Sequence, residues 1–227
     1  MFEKPAKRGR WWFVVVPVVI VIGIFAAFIV VRKPALQIDD PGVRISKPPE
    51  EIAGFSLQDD DGNPFTREQL LGEWTLIFTG FLYCPDICPT TLSDMAAVFK
   101  KLEQSKEGLA GFRLVFISVD PFRDTPDLIK EYVDYFYPGF IGATGDPEEL
   151  KKLAERFNLF YAYTDADTNE LIVNVLQRPE PEYYNVIHAT TILVVSPQAE
   201  IVARLSPPFE TNRVATELQK IRNYYGD

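Results

Sequence analysis

Apolar residues along the chain fall into one long run and several short ones. The long run, WWFVVVPVVIVIGIFAAFIVV at 11–31, is 21 residues without a charge, close to the ~20 needed to cross a hydrocarbon core as a helix. The short runs are of strand length: WTLIFTGF (74–81), FRLVFISV (112–119), FIGAT (140–144), TTILVVS (190–196) and EIVARL (200–205). Between them the period changes to that of a helix. From Pro89, the residues Leu92, Met95, Ala96, Phe99 and Leu102 share one face; Thr125 reads as an N-cap with Pro126 opening a helix to about Tyr137; Asp146-Pro147 opens another through Phe157. FSLQDDDGNPFT (55–66) predicts a hairpin turning at Asp61-Gly62, and TNRVATELQKIRNYY (211–225) an amphipathic helix capped by Thr211 or Asn212. A less regular polar stretch separates Phe157 from the strand at Thr190.

The order is a β-hairpin, then βαβαβα, then ββα. Parallel strands with helical crossovers, closed by an antiparallel pair and a helix, make an α/β sandwich of thioredoxin type with an N-terminal β-hairpin extension, over residues 52–227. Residues 11–31 read as a single transmembrane helix rather than a cleaved signal, because the apolar region is too long and Ala26-Ala27 is followed by further apolar residues. Residues 1–10 read as a short basic cytoplasmic tail. Residues 32–51, rich in proline and charge and without periodicity, read as a tether.

Charge sharpens this division. The first 33 residues carry a net +5, so a chain of net −9 leaves −14 on the remainder. An acidic domain of that size excludes nucleic acid as a partner class. The basic tail favours N-terminus in and domain out, and it is too short for an Arg- and Ser-rich organelle transit sequence, which favours a bacterial inner membrane with the domain in the periplasm. Three consecutive aspartates at 59–61 invite comparison with a calcium loop, but Leu57 would occupy its first ligand position.

The chemistry concentrates in FLYCPDICPTT (81–91), which holds both cysteines of the chain, Cys84 and Cys88; the single histidine is His188. The cysteines follow strand 74–81 at the end of the sheet where open α/β folds place their functional groups. If the strand at Thr190 runs antiparallel beside 74–81, His188 reaches the same mouth. A structural staple is the blandest reading, but closing so short a loop gains only about 2 kcal/mol before strain is subtracted. Dithiol redox chemistry is the second, though the spacing is Cys-x-x-x-Cys and His188-Ala189-Thr190 stands where thioredoxin-like reductases have a cis-proline. Metal binding is the third: two thiolates and an imidazole select Cu(I), Cu(II) or Zn(II), and three protein ligands leave a position open. SVDPFRDTP places Asp120, Arg123 and Asp124 near the same mouth, either as caps of the following helix or as a rim that docks a partner. Asp86, between the cysteines, reads as a solvated turn residue rather than a fourth metal ligand, or as part of that rim.

GEWTLIFTGFLYCPDICPTTLSDM, FISVDPFRDTPDLIKEYV, FIGATGDPEELKKLAERFNL and VIHATTILVVSP together resemble the Sco/SenC family of membrane-anchored copper proteins, over about residues 52–208. The resemblance includes the Cys-Pro-x-x-Cys-Pro element. It implies a thioredoxin fold, copper as Cu(I), Cu(II) or both held by Cys84, Cys88 and His188, and a role as a copper chaperone. The implied acceptor is the dinuclear copper centre of cytochrome c oxidase subunit II, with a thiol reductant keeping the Cys84–Cys88 pair reduced. Copper rather than zinc comes from the resemblance alone. The alternatives it leaves are a thiol-disulfide reductase acting on the cysteines of that subunit and a redox or copper sensor. One position departs from the family pattern: Ile187 stands before the histidine where an acidic residue is usual.

Overall fold

The two most apolar runs of the chain become the two central strands. In the computed structural model, which describes residues 13, 15–21, 36–105, 111–172 and 184–226, all seven residues of Trp74–Gly80 are buried, as are all but one of Phe112–Ser118. The elements in chain order are β1 (Val43–Glu51), β2 (Ser56–Asp59), β3 (Pro64–Thr66), β4 (Trp74–Gly80), α1 (Ile87–Glu103), β5 (Phe112–Ser118), α2 (Pro126–Phe136), β6 (Ile141–Thr144), α3 (Pro147–Arg156), β7 (Tyr161–Asp165), β8 (Tyr184–His188), β9 (Ile192–Val195), β10 (Glu200–Leu205) and α4 (Thr211–Tyr225).

Among the described residues, eight strands form one sheet in the order β1-β10-β9-β4-β5-β6-β2-β3. β4, β5 and β6 are parallel neighbours, and β9 runs antiparallel against β4, with Phe78 opposite Ile192 and Thr75 opposite Val195. Successive side chains of a strand face opposite ways, so β4 and β5 feed two cores. Ile77, Val115 and Ile117 join Leu150, Leu153 and Phe157 of the α3 region on one side. On the other, the rings of Phe78 and Phe116 meet at a tilt, 5.9 Å between centres, buried like Leu92, Met95, Phe99 and Leu102 of α1, which itself packs on α4. Each such side chain contributes roughly 1.5–3 kcal/mol by burial. This is the expected α/β sandwich of thioredoxin-like type.

Four expectations are corrected. Residues 43–51 are not tether but an edge strand, paired from Val43 opposite Leu205 to Glu51 opposite Glu200 with an irregularity between Ile45 and Glu50; its prolines are tolerable because an edge strand leaves one row of N–H groups unpaired. The irregular stretch after Phe157 contains β7 and β8, a two-stranded ribbon separate from the main sheet. His188 closes β8 and, as expected, comes just before the next strand, β9, which starts at Ile192. Finally, α4 is capped by Glu210, whose carboxylate accepts from the N–H groups of Asn212 and Arg213, and α1 begins at Ile87, two residues before Pro89.

The chain divides into two units, up to Leu36 and from Gln37 onward. In the first, Phe13 and residues 15–21 are helical. The rest of the expected span at 11–31, and the tail at 1–10, lie outside the described residues. Among the described residues no helix is long and apolar enough to cross a membrane.

Candidate metal centre

Strand β4 ends at Gly80 and the chain loops through Leu82–Pro85 into α1. Cys84 lies in the loop and Cys88 in the first turn of the helix. The helix start is aimed at the first sulfur: the Cys88 N–H donates to Cys84 Sγ at 3.4 Å. An N–H at a helix N-terminus stabilises a thiolate. Gly80 gives the second sulfur its room, since a Cβ there would stand 2.6 Å from Cys88 Sγ and 2.6 Å from the Phe116 ring. Both cysteines are free and buried.

His188 arrives from the ribbon. Its Nε2 lies 3.3 Å from Cys88 Sγ and 3.9 Å from Cys84 Sγ, and the three donor atoms lie within 4.8 Å of one another. Nδ1 is 2.9 Å from the Ala189 carbonyl oxygen. A carbonyl only accepts, so Nδ1 donates to it, and Nε2 is the ring nitrogen that faces the sulfurs. The rings of Phe81 and Phe78 meet the imidazole edge-on at 5.6 Å and 6.0 Å. The donor set, two sulfurs and one imidazole nitrogen in an apolar wall, fits a soft or borderline metal ion.

The Cys88 thiol, hydrogen-bonded to the Cys84 sulfur, pulls the Cys84 thiol down to about 4, against the opposing effect of burial; His188 and the Cys88 N–H add to the pull. The same hydrogen bond, with burial, pushes Cys88 up. The pair thus holds its proton on the deeper sulfur and presents Cys84 as thiolate.

The remaining predicted residues fall elsewhere. Asp86 is exposed, bonded to Thr90, and outside the three-donor cluster. Asp120 and Asp124 are not a solvent-facing rim: they are 0% and 1% exposed. Nor do they cap α2, whose N-cap is Thr125, as expected. Asp124 Oδ2 accepts from the Leu82 N–H at 2.9 Å and the Ser118 hydroxyl at 2.6 Å. Burial lifts its carboxyl to about 6, although these hydrogen bonds oppose the rise. Ile187 is 48% exposed and, being adjacent in a strand, faces away from His188. The imidazole is oriented instead by the Ala189 carbonyl, which needs no acidic neighbour. Gly80 and Tyr184, absent from the sequence-predicted set, belong to the site's framework; the only signal of Gly80 was a glycine closing an otherwise bulky strand.

The SCO1/SenC family model matches residues 44–223. The chain belongs to the SCO1/SenC family. Among its SCO relatives, the mitochondrial SCO1 homolog 1 of Arabidopsis thaliana is 37% identical over 150 residues, 65% of this chain but 40% of that protein's length. The SCO2-like protein of Rickettsia felis is 35% identical over 160 residues, 69% of this chain and 76% of that one. The crystal structure of Arabidopsis thaliana ScoI with copper bound superposes with a TM-score of 0.65 at 34% identity, covering 76% of this chain and 98% of that chain.

Proposed function

We propose that this member of the family is a copper chaperone in which Cys84, Cys88 and His188 Nε2 take up copper, as Cu(I), Cu(II) or both, and pass it to an acceptor. The observation that carries the reading is the convergence of two sulfurs and an imidazole nitrogen within 4.8 Å; a 34% identical relative with copper bound supports the choice of metal. Three protein donors leave room for a ligand of the acceptor to enter before the chaperone's own ligands leave. Cytochrome c oxidase subunit II, or a similar copper protein, is the acceptor the family implies. Loading needs both sulfurs reduced, so a thiol reductant acts upstream and a Cys84–Cys88 disulfide blocks uptake. The uncharged run at 11–31 supports a single-pass anchor in a bacterial inner membrane with the domain in the periplasm.

Anaerobic titration of the full chain in detergent with copper, beside Cys84→Ser, Cys88→Ser and His188→Ala, tests the reading. One copper per chain is expected for the native protein and weaker binding for all three variants; a histidine variant that binds as tightly as the native chain sinks the three-donor site.

The split between a lowered Cys84 and a raised Cys88 also favours a second reading, a thiol-disulfide reductase in which Cys84 attacks and Cys88 resolves. It requires turnover of a disulfide substrate that depends on both cysteines and is indifferent to His188→Ala.

A further inference from the structure

One turn, the residues after β5, reaches both halves of the site. Towards the cysteines, the buried Asp124 carboxylate holds the N–H of Leu82 at 2.9 Å, two residues before Cys84. Towards the histidine, the buried Asp120 carboxylate accepts from the Tyr184 hydroxyl at 2.6 Å through one oxygen and from Arg123 Nε at 2.5 Å through the other. Arg123 then donates Nη1 to the Tyr184 carbonyl at 3.3 Å and sets its guanidinium 3.9 Å from the centre of the Tyr184 ring. Tyr184 is the first residue of β8 and His188 the last.

Among the described residues the ribbon is not paired with the eight-stranded sheet, so its angle to the sheet is set by side-chain attachments, with Tyr161 packed on the core, and by the short link from His188 to β9. Tyr163 adds one, donating its hydroxyl to the Val119 carbonyl at 2.5 Å at the root of the same turn. β7 and β8 are paired residue by residue from Asp165 opposite Tyr184 to Tyr161 opposite His188, which makes the ribbon a stiff lever. At about 3.3 Å per residue the imidazole stands about 13 Å from the Tyr184 anchor, so a tilt of about 5° moves Nε2 by about 1 Å. A shift of that size is enough to spoil a preorganised site.

We infer that Asp120, acting with Arg123 through Tyr184, is a positioning residue that fixes His188 over the two sulfurs, while Asp124 in the same turn fixes the loop that carries Cys84. A buried ion pair gains little net stability over apolar residues of the same volume. What it supplies here is direction, since two carboxylate oxygens with fixed partners hold Tyr184 at one angle. The inference deepens the copper reading and rests on it for its consequence, but the positioning itself is a property of the metal-free protein.

Two measurements on the full chain in detergent test it. In the metal-free protein, Asp120→Asn is expected to speed amide hydrogen exchange across Tyr184–His188 about tenfold while leaving β4 and α1 unchanged, and Tyr184→Phe to act in the same direction more weakly. Unchanged protection of β8 in both variants overturns the inference. Tyr184→Phe leaves the Asp120–Arg123 pair intact and decides the matter if Asp120→Asn does not fold. In copper titration, Asp120→Asn should weaken binding about tenfold in the native background and not at all in His188→Ala; an equal loss in both backgrounds means Asp120 does not act through the imidazole, and overturns it. A native chain that takes up no copper refutes the chaperone reading instead, and the exchange measurement then decides the positioning alone.

Discussion

The two halves of the site are built to different standards. The cysteine half is core: β4 is buried along its whole length, Cys88 is fully buried, and Gly80 admits its sulfur with no room to spare. The histidine half is an appendage, a two-stranded ribbon outside the main sheet with Phe160 and Ile187 60% and 48% exposed. Moving β4 or α1 would break the packing on which the fold depends; moving the ribbon would break the hydrogen bonds around residues 119–124 and 184 and uncover Tyr163, Tyr184 and Val186, a smaller buried set. The spacing of the two sulfurs is therefore tied to global stability, and the reach of the imidazole to local attachments. A carrier that must both hold and surrender a metal ion gains from that division, because one ligand can withdraw without unfolding.

The comparison can be broken most severely from the cysteine side. Cys88→Ser should lower copper affinity by more than the about 10–100-fold typical of changes outside the coordination shell, with no compensation from His188; a competition titration against a chelator of known affinity measures this. Next is the buried carboxylate that holds the cysteine loop. The carboxyl of Asp124 is raised from 3.8 to about 6 in the folded chain, so its stabilising share is complete below the unfolded value and is lost as pH rises through about 6. The stability of the metal-free native chain relative to Asp124→Asn should thus fall by up to about 3 kcal/mol between about pH 4 and pH 7, as read from paired denaturant melts. A constant difference across that range would mean the carboxyl is not held protonated by burial.

Gly80→Ala comes third. Its added methyl meets the Cys88 sulfur and the Phe116 ring, and overpacking of this kind costs about 1–3 kcal/mol; thermal melts should show the loss, and copper titration a weaker site in the protein that remains folded. The smallest effect sharpens the comparison from the histidine side. Ile187→Asp restores the residue usual in the family at a position that faces away from the imidazole, and should change copper affinity by no more than about twofold, the range of an exposed substitution.

What was legible in the sequence follows the same division. β4, β5 and α1 bury long apolar faces, so their positions could be read from hydrophobic spacing, and with them the mouth where Cys84 and Cys88 sit; α2 was legible from Thr125 and Pro126 at its start. β1 was hidden because an edge strand is largely solvated and VRISKPPEE carries two prolines and little alternation. β7 and β8 were hidden for a related reason: each is short and half-exposed, and pairs only with the other. The histidine was nevertheless assigned to the correct end of the sheet, because β9 does run antiparallel beside β4; it reaches that end from β8, which the polar stretch concealed. Asp120 was visible only as one charge in SVDPFRDTP. Its role depends on a tyrosine 64 residues away, a pairing that no local pattern encodes. Asp124 was misread as a rim or cap for the same reason, since its partners Leu82 and Ser118 lie in the loop after β4 and at the end of β5.

X-ray absorption at the copper edge, on the full chain loaded with one equivalent of copper, reads the ligand shell itself. The account predicts a first shell of two sulfurs and one imidazole nitrogen, the nitrogen disappearing in His188→Ala and one sulfur in Cys84→Ser or Cys88→Ser. A native shell without imidazole, or one that His188→Ala leaves unchanged, would contradict it.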